Sequence, residues 1–183
     1  MSKPLLSLWR LDTHLSGLTG LGNAALLDGP LTAFFASRTC PGSAIRAAMD
    51  WAVAEARSGR TIISGFHSPL ERSVLEVLLG AHGKAVIALA RDVRKARLPS
   101  AWRQAALRNG IAIVSVDQGA RHLTEELARS RNDWVAQLAQ NIVIAHAQPG
   151  GTLARDAERW IGKGHQVKPI VAAGSPRLGK EIT

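Results

Sequence analysis

Tyrosine is absent from the 183-residue chain, and there are only three phenylalanines and one cysteine. So few flat rings argue against an open aromatic platform of the kind on which successive bases stack. The single thiol, Cys40, rules out an internal disulfide framework and suits a reducing cytoplasm. No apolar run approaches the roughly 20 residues that cross a bilayer. The N-terminus, where Asp12 follows a short mixed stretch, lacks the apolar core of a signal peptide. A soluble cytoplasmic protein with no membrane partner is expected.

Several chemistries lack their motifs. The six histidines are scattered with no His-x-x-x-His pair, so no metal site is expected, and nothing calls for a cofactor. There is no Gly-x-Ser-x-Gly elbow, no Gly-x-x-x-x-Gly-Lys-Ser/Thr loop and no Gly-x-Gly-x-x-Gly fingerprint. Their absence speaks against a serine hydrolase, a P-loop NTPase and an ordinary NAD enzyme. Acidic residues are also short: 14 Asp and Glu face 23 Lys and Arg, a net charge of +9. A polyanionic partner follows from that balance, and nucleic acid is favoured because the cations cluster, most densely in Arg91-Asp92-Val93-Arg94-Lys95-Ala96-Arg97.

What is present is a regular alternation of strand-like and helix-like segments. Residues 1 to 30 are the exception: their Gly-rich stretch from Leu15 to Asn23 reads as an irregular lead-in or a short helix with a loop. Leu31 to Ser37 reads as a first strand, followed by a helix capped by Ser43 and ended by Gly59. Thr61-Ile62-Ile63 is a second strand. Ser68-Pro69-Leu70-Glu71 then makes a capping box with proline in the first helical position. Ala85 to Ala90 is a third strand, Pro99 to Asn109 a helix, and Ile111 to Val116 a fourth strand. Residues from about Gly119 to Gln140 read as two helical pieces broken near Ser130-Arg131-Asn132-Asp133. Ile142 to Ala145 is a fifth strand, Thr152 to Lys163 a helix with an apolar face, Val167 to Ala172 a sixth strand, and residues 173 to 183 a flexible tail.

This pattern predicts one α/β domain over residues 31 to 172, a Rossmann-like, doubly wound and mainly parallel sheet of about six strands with helices on both faces. In such sheets ligands bind beyond the carboxyl ends of the strands, near the point where strand order reverses. Following the strands are Ser37 and Arg38, then Ser64, Gly65 and His67, then Arg91 to Arg97, then Asp117 and Gln118, and last Gln148-Pro149-Gly150-Gly151-Thr152. The last turn has almost no side-chain bulk where a helix begins, so it suits either an anion on free backbone amides or a plain strand-to-helix connection capped by Thr152. Serine, guanidinium and bare glycine are the chemistries that hold phosphate, and they gather on one edge. Trp51, Trp102, Trp134 and Trp160 all fall on helices, where packing is the expected role. His67 and His146 follow strands and are expected to be structural or solvent-facing.

Ser37-Arg38, Ser64-Gly65, the run from Gly83 to Ala90, Arg131-Asn132 before a helix, and the strand followed by Gly150-Gly151-Thr152-Leu153 stand in an order that resembles the DNA-processing proteins called DprA or Smf. The likeness covers residues 22 to 172 and extends more loosely to the lonely-guy (LOG) nucleoside-monophosphate phosphoribohydrolases. It implies a nucleotide or single-stranded DNA pocket and a tendency to dimerise. The expectation drawn from it together with the charge is a DNA-binding homodimer, DNA being favoured over RNA, with no catalytic residues assigned and the balance leaning against an enzyme. A nucleotide-binding enzyme or sensor for a free nucleotide is the alternative. By position the site takes in Arg38, Ser64, Gly65, Arg131, Asn132, Gly150, Gly151 and Thr152, to which the basic run adds Arg91, Arg94, Lys95 and Arg97, with Ser37 beside Arg38. Departures from the family pattern include Ala36 for its first glycine, Ser64-Gly65-Phe66-His67-Ser68-Pro69-Leu70-Glu71 for its Ser-Gly-x-Ala-x-Gly-Ile-Asp, and Asp133 where its Arg-Asn-Arg ends in a cation. Leu153-Ala154-Arg155 stand where a phosphoribohydrolase would want a carboxylate, with Asp156 and Glu158 one turn later.

Overall fold

The computed structural model describes residues 6–12, 17–115 and 124–170. Asp117, Gln118, the last two residues of the expected sixth strand and the tail from 173 lie outside them. The described chain forms one eight-stranded sheet with five α-helices. In chain order the first elements are β1 (Leu8–Asp12), β2 (Gly17–Gly22), β3 (Leu31–Phe35), α1 (Gly42–Ser58), β4 (Thr61–Ser64) and α2 (Pro69–Gly80). They continue with β5 (Lys84–Leu89), α3 (Ser100–Leu107), β6 (Ile111–Ser115), α4 (Glu125–Leu138), β7 (Asn141–Ile144), α5 (Thr152–Gly162) and β8 (Val167–Pro169).

The strand order is β1-β2-β6-β5-β4-β3-β7-β8. From β6 to β8 every pairing is parallel, whereas β1 with β2 and β2 with β6 are antiparallel. The direction in which successive strands are added reverses between β3 and β7, the two strands on either side of the switch point. Helices α1, α2 and α3 pack on one face, around Phe34, Ile62, Ile87 and Val74. Helices α4 and α5 cover the other, where Trp134 and Trp160 meet Phe35, Ile63 and Val86. The central strands β4 and β6, covered on both sides, are buried along their whole length, with all four and all five residues inside.

Residues 17–22, read above as part of an irregular lead-in, are a strand instead, and the sheet has eight strands where the alternation suggested about six. The glycines that make this stretch look like a loop have a packing cause. The Trp9 ring crosses the sheet surface directly over Gly20, where any Cβ would overlap it, and the indole N–H donates to the Gly22 carbonyl at 2.9 Å. The helix expected to break near Ser130 is continuous from Glu125 to Leu138. Its polar centre does not compete for the backbone, because Arg131 and Asp133 are engaged by tertiary partners while Trp134, Val135 and Ala136 are buried on the sheet. Two expected caps also differ. Helix α1 starts at Gly42 behind Pro41, and α5 starts at Thr152 behind Gly151, with neither cap residue supplying a side-chain hydrogen bond.

Candidate functional site

Two turns at the carboxyl end of the sheet hang from one carboxylate. The Ser68–Glu71 capping box forms as its spacing predicts, with Pro69 in the first turn of α2. Glu71 does more than cap. Its Oε2 accepts the amides of His67 (2.8 Å) and Ser68 (3.1 Å), and its Oε1 accepts the amide of Ala36 (3.1 Å), just past β3. Burial pushes the Glu71 carboxyl up from the ordinary range, opposed by those three N–H groups and by the charge of Arg131. Between the two turns, Ser64 is fully buried and its hydroxyl accepts the amide of Phe66 at 3.1 Å. That bond helps hold Phe66 in the left-handed region at φ 47°, an uncommon conformation for an aromatic residue. Ser64 therefore shapes the turn from behind and does not present its side chain to a ligand.

Beyond these turns lies a cleft of about 550 Å³ between α2 and α3, at the ends of β4 and β5. Gly65 and His67 form one lip and Arg91, directly after β5, lies on the other. Arg72, Leu75, Glu76 and Leu79 line it at the spacing of one helical face of α2, and Trp102 lines it from α3. Arg131 enters from α4, which lies on the opposite face of the sheet. Its guanidinium sits against Gly65 so closely that any Cβ there would overlap it. Its Nε donates to Asn132 Oδ1 at 3.1 Å, so Asn132 orients the side chain from the adjacent position. Burial lowers the Arg131 pKa and the charge of Glu71 raises it; as a guanidinium it remains a cation. His67 is held below the ordinary histidine value, first by burial and then by Arg131, Arg72 and Arg38. Three arginines and one histidine thus surround the cleft, with Glu76 as the one carboxylate among its described lining residues.

At the switch point the β3–β7 ladder runs on beyond the strands. The Ser37 amide donates to the His146 carbonyl, and the Ser37 hydroxyl accepts the Gln148 amide, both at 2.9 Å. Gly150 has φ 69°, and the Gly151 amide donates to the Gln148 carbonyl at 2.9 Å. Thr152 is exposed as the first residue of α5, and Arg155 donates to the Gly150 carbonyl at 2.7 Å. Arg38 is exposed after β3 and lines a smaller hollow of about 290 Å³ with Cys40 and Ile45.

The basic run after β5 divides. Arg91 reaches the cleft, whereas Arg94 turns back onto Asp92, a buried carboxylate, with Nη2 to Oδ2 at 2.6 Å. That pairing holds the Asp92 carboxyl below its usual range. Arg94 lines a separate cavity, and Lys95 and Arg97 are exposed. Of the sequence-nominated residues, the structure brings Gly65, Arg91 and Arg131 to one cleft, Ser37 and the Gly150–Thr152 turn to the neighbouring strand pair, and Arg94 to another cavity. Asp133, at the position of the missing family cation, accepts Arg159 and the Trp160 indole (2.8 Å) and so fastens α4 to α5. Asp156 is buried and takes the other arm of Arg159 at 2.7 Å.

Sequence reasoning missed Arg72, Trp102 as a cleft wall, and Glu71 as the anchor of the β3 turn. Arg72 was legible in principle, since the first turn of a helix that follows a strand end faces the site. The Glu71–Ala36 bond spans 35 residues and leaves no local signal.

A family model described as DNA recombination-mediator protein A matches residues 7–166. Among solved structures, the chain superposes on DNA processing protein A from Streptococcus pneumoniae with a TM-score of 0.70 at 19% identity, covering 88% of this chain and 57% of that one. DNA processing protein A from Helicobacter pylori, whose structure describes a single-stranded DNA binding mode, gives a TM-score of 0.69 at 17% identity, covering 84% of this chain and 71% of that one. The molybdenum cofactor carrier protein from Chlamydomonas reinhardtii is more distant, at a TM-score of 0.52 and 12% identity, covering 76% and 75%. The chain thus spans little more than half the length of the pneumococcal protein. No curated protein matches the sequence.

Proposed function

The chain belongs to the DNA recombination-mediator protein A family, and from that premise we propose that it is a cytoplasmic DNA-binding protein that holds single strands by their phosphates at the carboxyl edge of its sheet. The observation that carries the reading is the Arg131 guanidinium, drawn through the sheet edge and seated on Gly65, with Arg72, Arg91 and His67 around the same cleft. A guanidinium fork matches phosphate oxygens, and a glycine lip admits the sugar-phosphate chain close to the backbone. Arg38, Lys95 and Arg97 are exposed at the same end of the sheet and extend the field along a longer strand. Ser37 and the Gly150–Thr152 turn belong to the next crevice along the edge.

The test is fluorescence anisotropy with a labelled oligo-dT strand over a salt series. The logarithm of affinity should fall with the logarithm of salt at about −0.7 per neutralised phosphate. Affinity that ignores salt defeats the phosphate reading.

A free nucleotide is the second reading, favoured by one observation: a cleft of about 550 Å³ is the size of a small-ligand site. Hydrolysis is less supported, because Asp156 is engaged by Arg159. Thermal shifts with mononucleotides, set beside the oligo-dT titration, separate the two. A large mononucleotide shift without strand binding selects the second.

Two copies acting together belong to the same proposal. Among the described residues β8 is an outermost strand, and on α5, which packs beside it, Ile161 is 57% exposed. Sedimentation equilibrium of wild type and Ile161→Asp tests it, a wild-type monomer being the contrary result.

A further inference from the structure

Helix α3 separates two cavities. Pro99, Ala101 and Trp102 face the cleft described above, whereas Ser100, Arg103, Gln104 and Leu107, at helical spacing, line a second and larger cavity of about 920 Å³. Its far wall is the β1–β2 hairpin, where Leu8 and Leu21 lie directly opposite each other across the strand pair. Its floor includes Val93 and Leu98. Leu8 is 50% exposed and Leu107 is 43% exposed, so an apolar patch stands open on both rims.

We infer that this groove docks an acidic amphipathic segment of a partner protein, seated by its apolar side chains and steered by its carboxylates. The charge on the walls selects that occupant. Among the described residues that line it, Arg94 and Arg103 are charged and none is acidic; the charge of Arg94 is matched by Asp92 beneath it, which leaves Arg103 as the excess. Lys95 and Arg97, both exposed, extend the positive field along the segment that leads to Leu98. A second copy meeting this face about a two-fold axis would set its own cations against these, on a chain that already carries +9. A nucleic-acid strand would find leucine where sugar and phosphate want donors. A helix bearing leucines on one face and carboxylates beside them meets both features. The groove shares α3 with the DNA cleft, so the partner would be held next to the bound strand on the other side of one helix.

The test uses the whole chain and a defined probe: a fluorescein-labelled synthetic helix with leucine at three-and-four spacing and glutamate elsewhere, set against the same helix with lysine for glutamate. Anisotropy should show the glutamate helix binding and the lysine helix not. Arg103→Glu should weaken the glutamate helix by about tenfold and Leu107→Asp should abolish its binding, with oligo-dT affinity unchanged in both. The inference is overturned if the two helices bind alike, if the glutamate helix does not bind, or if Arg103→Glu has no effect. Both substitutions are at exposed positions, and a thermal melt of each variant confirms that the fold is intact.

Discussion

The guanidinium of Arg131 and the backbone of Gly65 are in such close apposition that residue 65 has no room for a side chain. Gly65 has no positive φ to justify it, so the space itself is the reason for glycine. The obstacle a Cβ would meet is the far end of a long side chain, which moves while the backbone stays. Gly65→Ala should therefore keep the melting temperature within a few degrees and weaken oligo-dT binding about tenfold, roughly 1.4 kcal/mol. Unchanged affinity in the alanine variant would remove Arg131 from the site.

Arg91 and Arg94 are three residues apart but should behave differently. Arg91→Ala, facing the cleft, should lower affinity for all strands alike and reduce the salt slope by about 0.7, as should Arg131→Ala. Arg94→Ala should leave that slope alone and instead lower the melting temperature, because buried Asp92 loses its bidentate partner. Paired salt titrations and thermal melts of the three variants check this.

His67 titrates low in the free protein because burial and three arginines disfavour its charge. A phosphate brought into the cleft opposes those arginines and favours the imidazolium. Binding should then take up a proton, and affinity should rise as pH falls from about 8 to about 6. His67→Gln should flatten that dependence. In the unliganded protein the sign is opposite: the folded state binds fewer protons than the unfolded chain between the lowered and the ordinary histidine value, so stability rises with pH across that window. An identical pH profile of affinity in the variant would show that His67 does not sense the strand.

Glu71 has the reverse linkage. Its folded pKa is raised, so the folded state binds more protons between the ordinary carboxylate value and the raised one, and stability from this group falls as pH rises through that interval. Glu71→Gln cannot titrate and turns an amide nitrogen toward backbone N–H groups, a cost of about 1–3 kcal/mol. Urea unfolding from about pH 4 to about pH 8 should show wild type ahead by the largest margin in acid and by less as pH rises. A constant margin contradicts the linkage.

Asp133→Arg restores the residue type that the family pattern carries there, yet it should not improve binding. It removes the acceptor of both Arg159 and the Trp160 indole and sets two cations together. A loss of about 1–3 kcal/mol in unfolding free energy is expected, from the stranded donors. Tighter oligo-dT binding at unchanged stability would contradict the clamp.

The parallel core was legible because strands buried on both faces are nearly continuous apolar runs and each is followed by a turn of distinctive chemistry. Ser68-Pro69-Leu70-Glu71 gave away the start of α2 to the residue. The β1–β2 hairpin was not legible, since Gly20 is there for the ring of Trp9, and a strand that must accommodate an indole looks like a loop in one dimension. The continuity of α4 was hidden for a related reason: Arg131 and Asp133 read as helix-breaking polarity until their distant partners are known. Most of the nominated site residues came from the rule for strand ends, which locates the edge; Arg131 and Asn132, in the middle of α4, came only from the family resemblance. Whether a given arginine faces the cleft, as Arg91 does, or folds back on a carboxylate, as Arg94 does, is decided by Asp92 inside the same run.

The doubled clip between Ser37 and the segment from His146 to Gln148 has a geometric consequence. In an open α/β sheet the connections that leave the two strands flanking the reversal part to opposite faces, and the gap between them is the usual mouth for a ligand. Here a hydroxyl continues the ladder where main-chain partners run out, stitching that mouth at its root and leaving the roomier hollow one strand away, over β4 and β5. Cutting the stitch with Ser37→Ala frees the Gln148 amide and loosens the entrance that strand order alone would have provided.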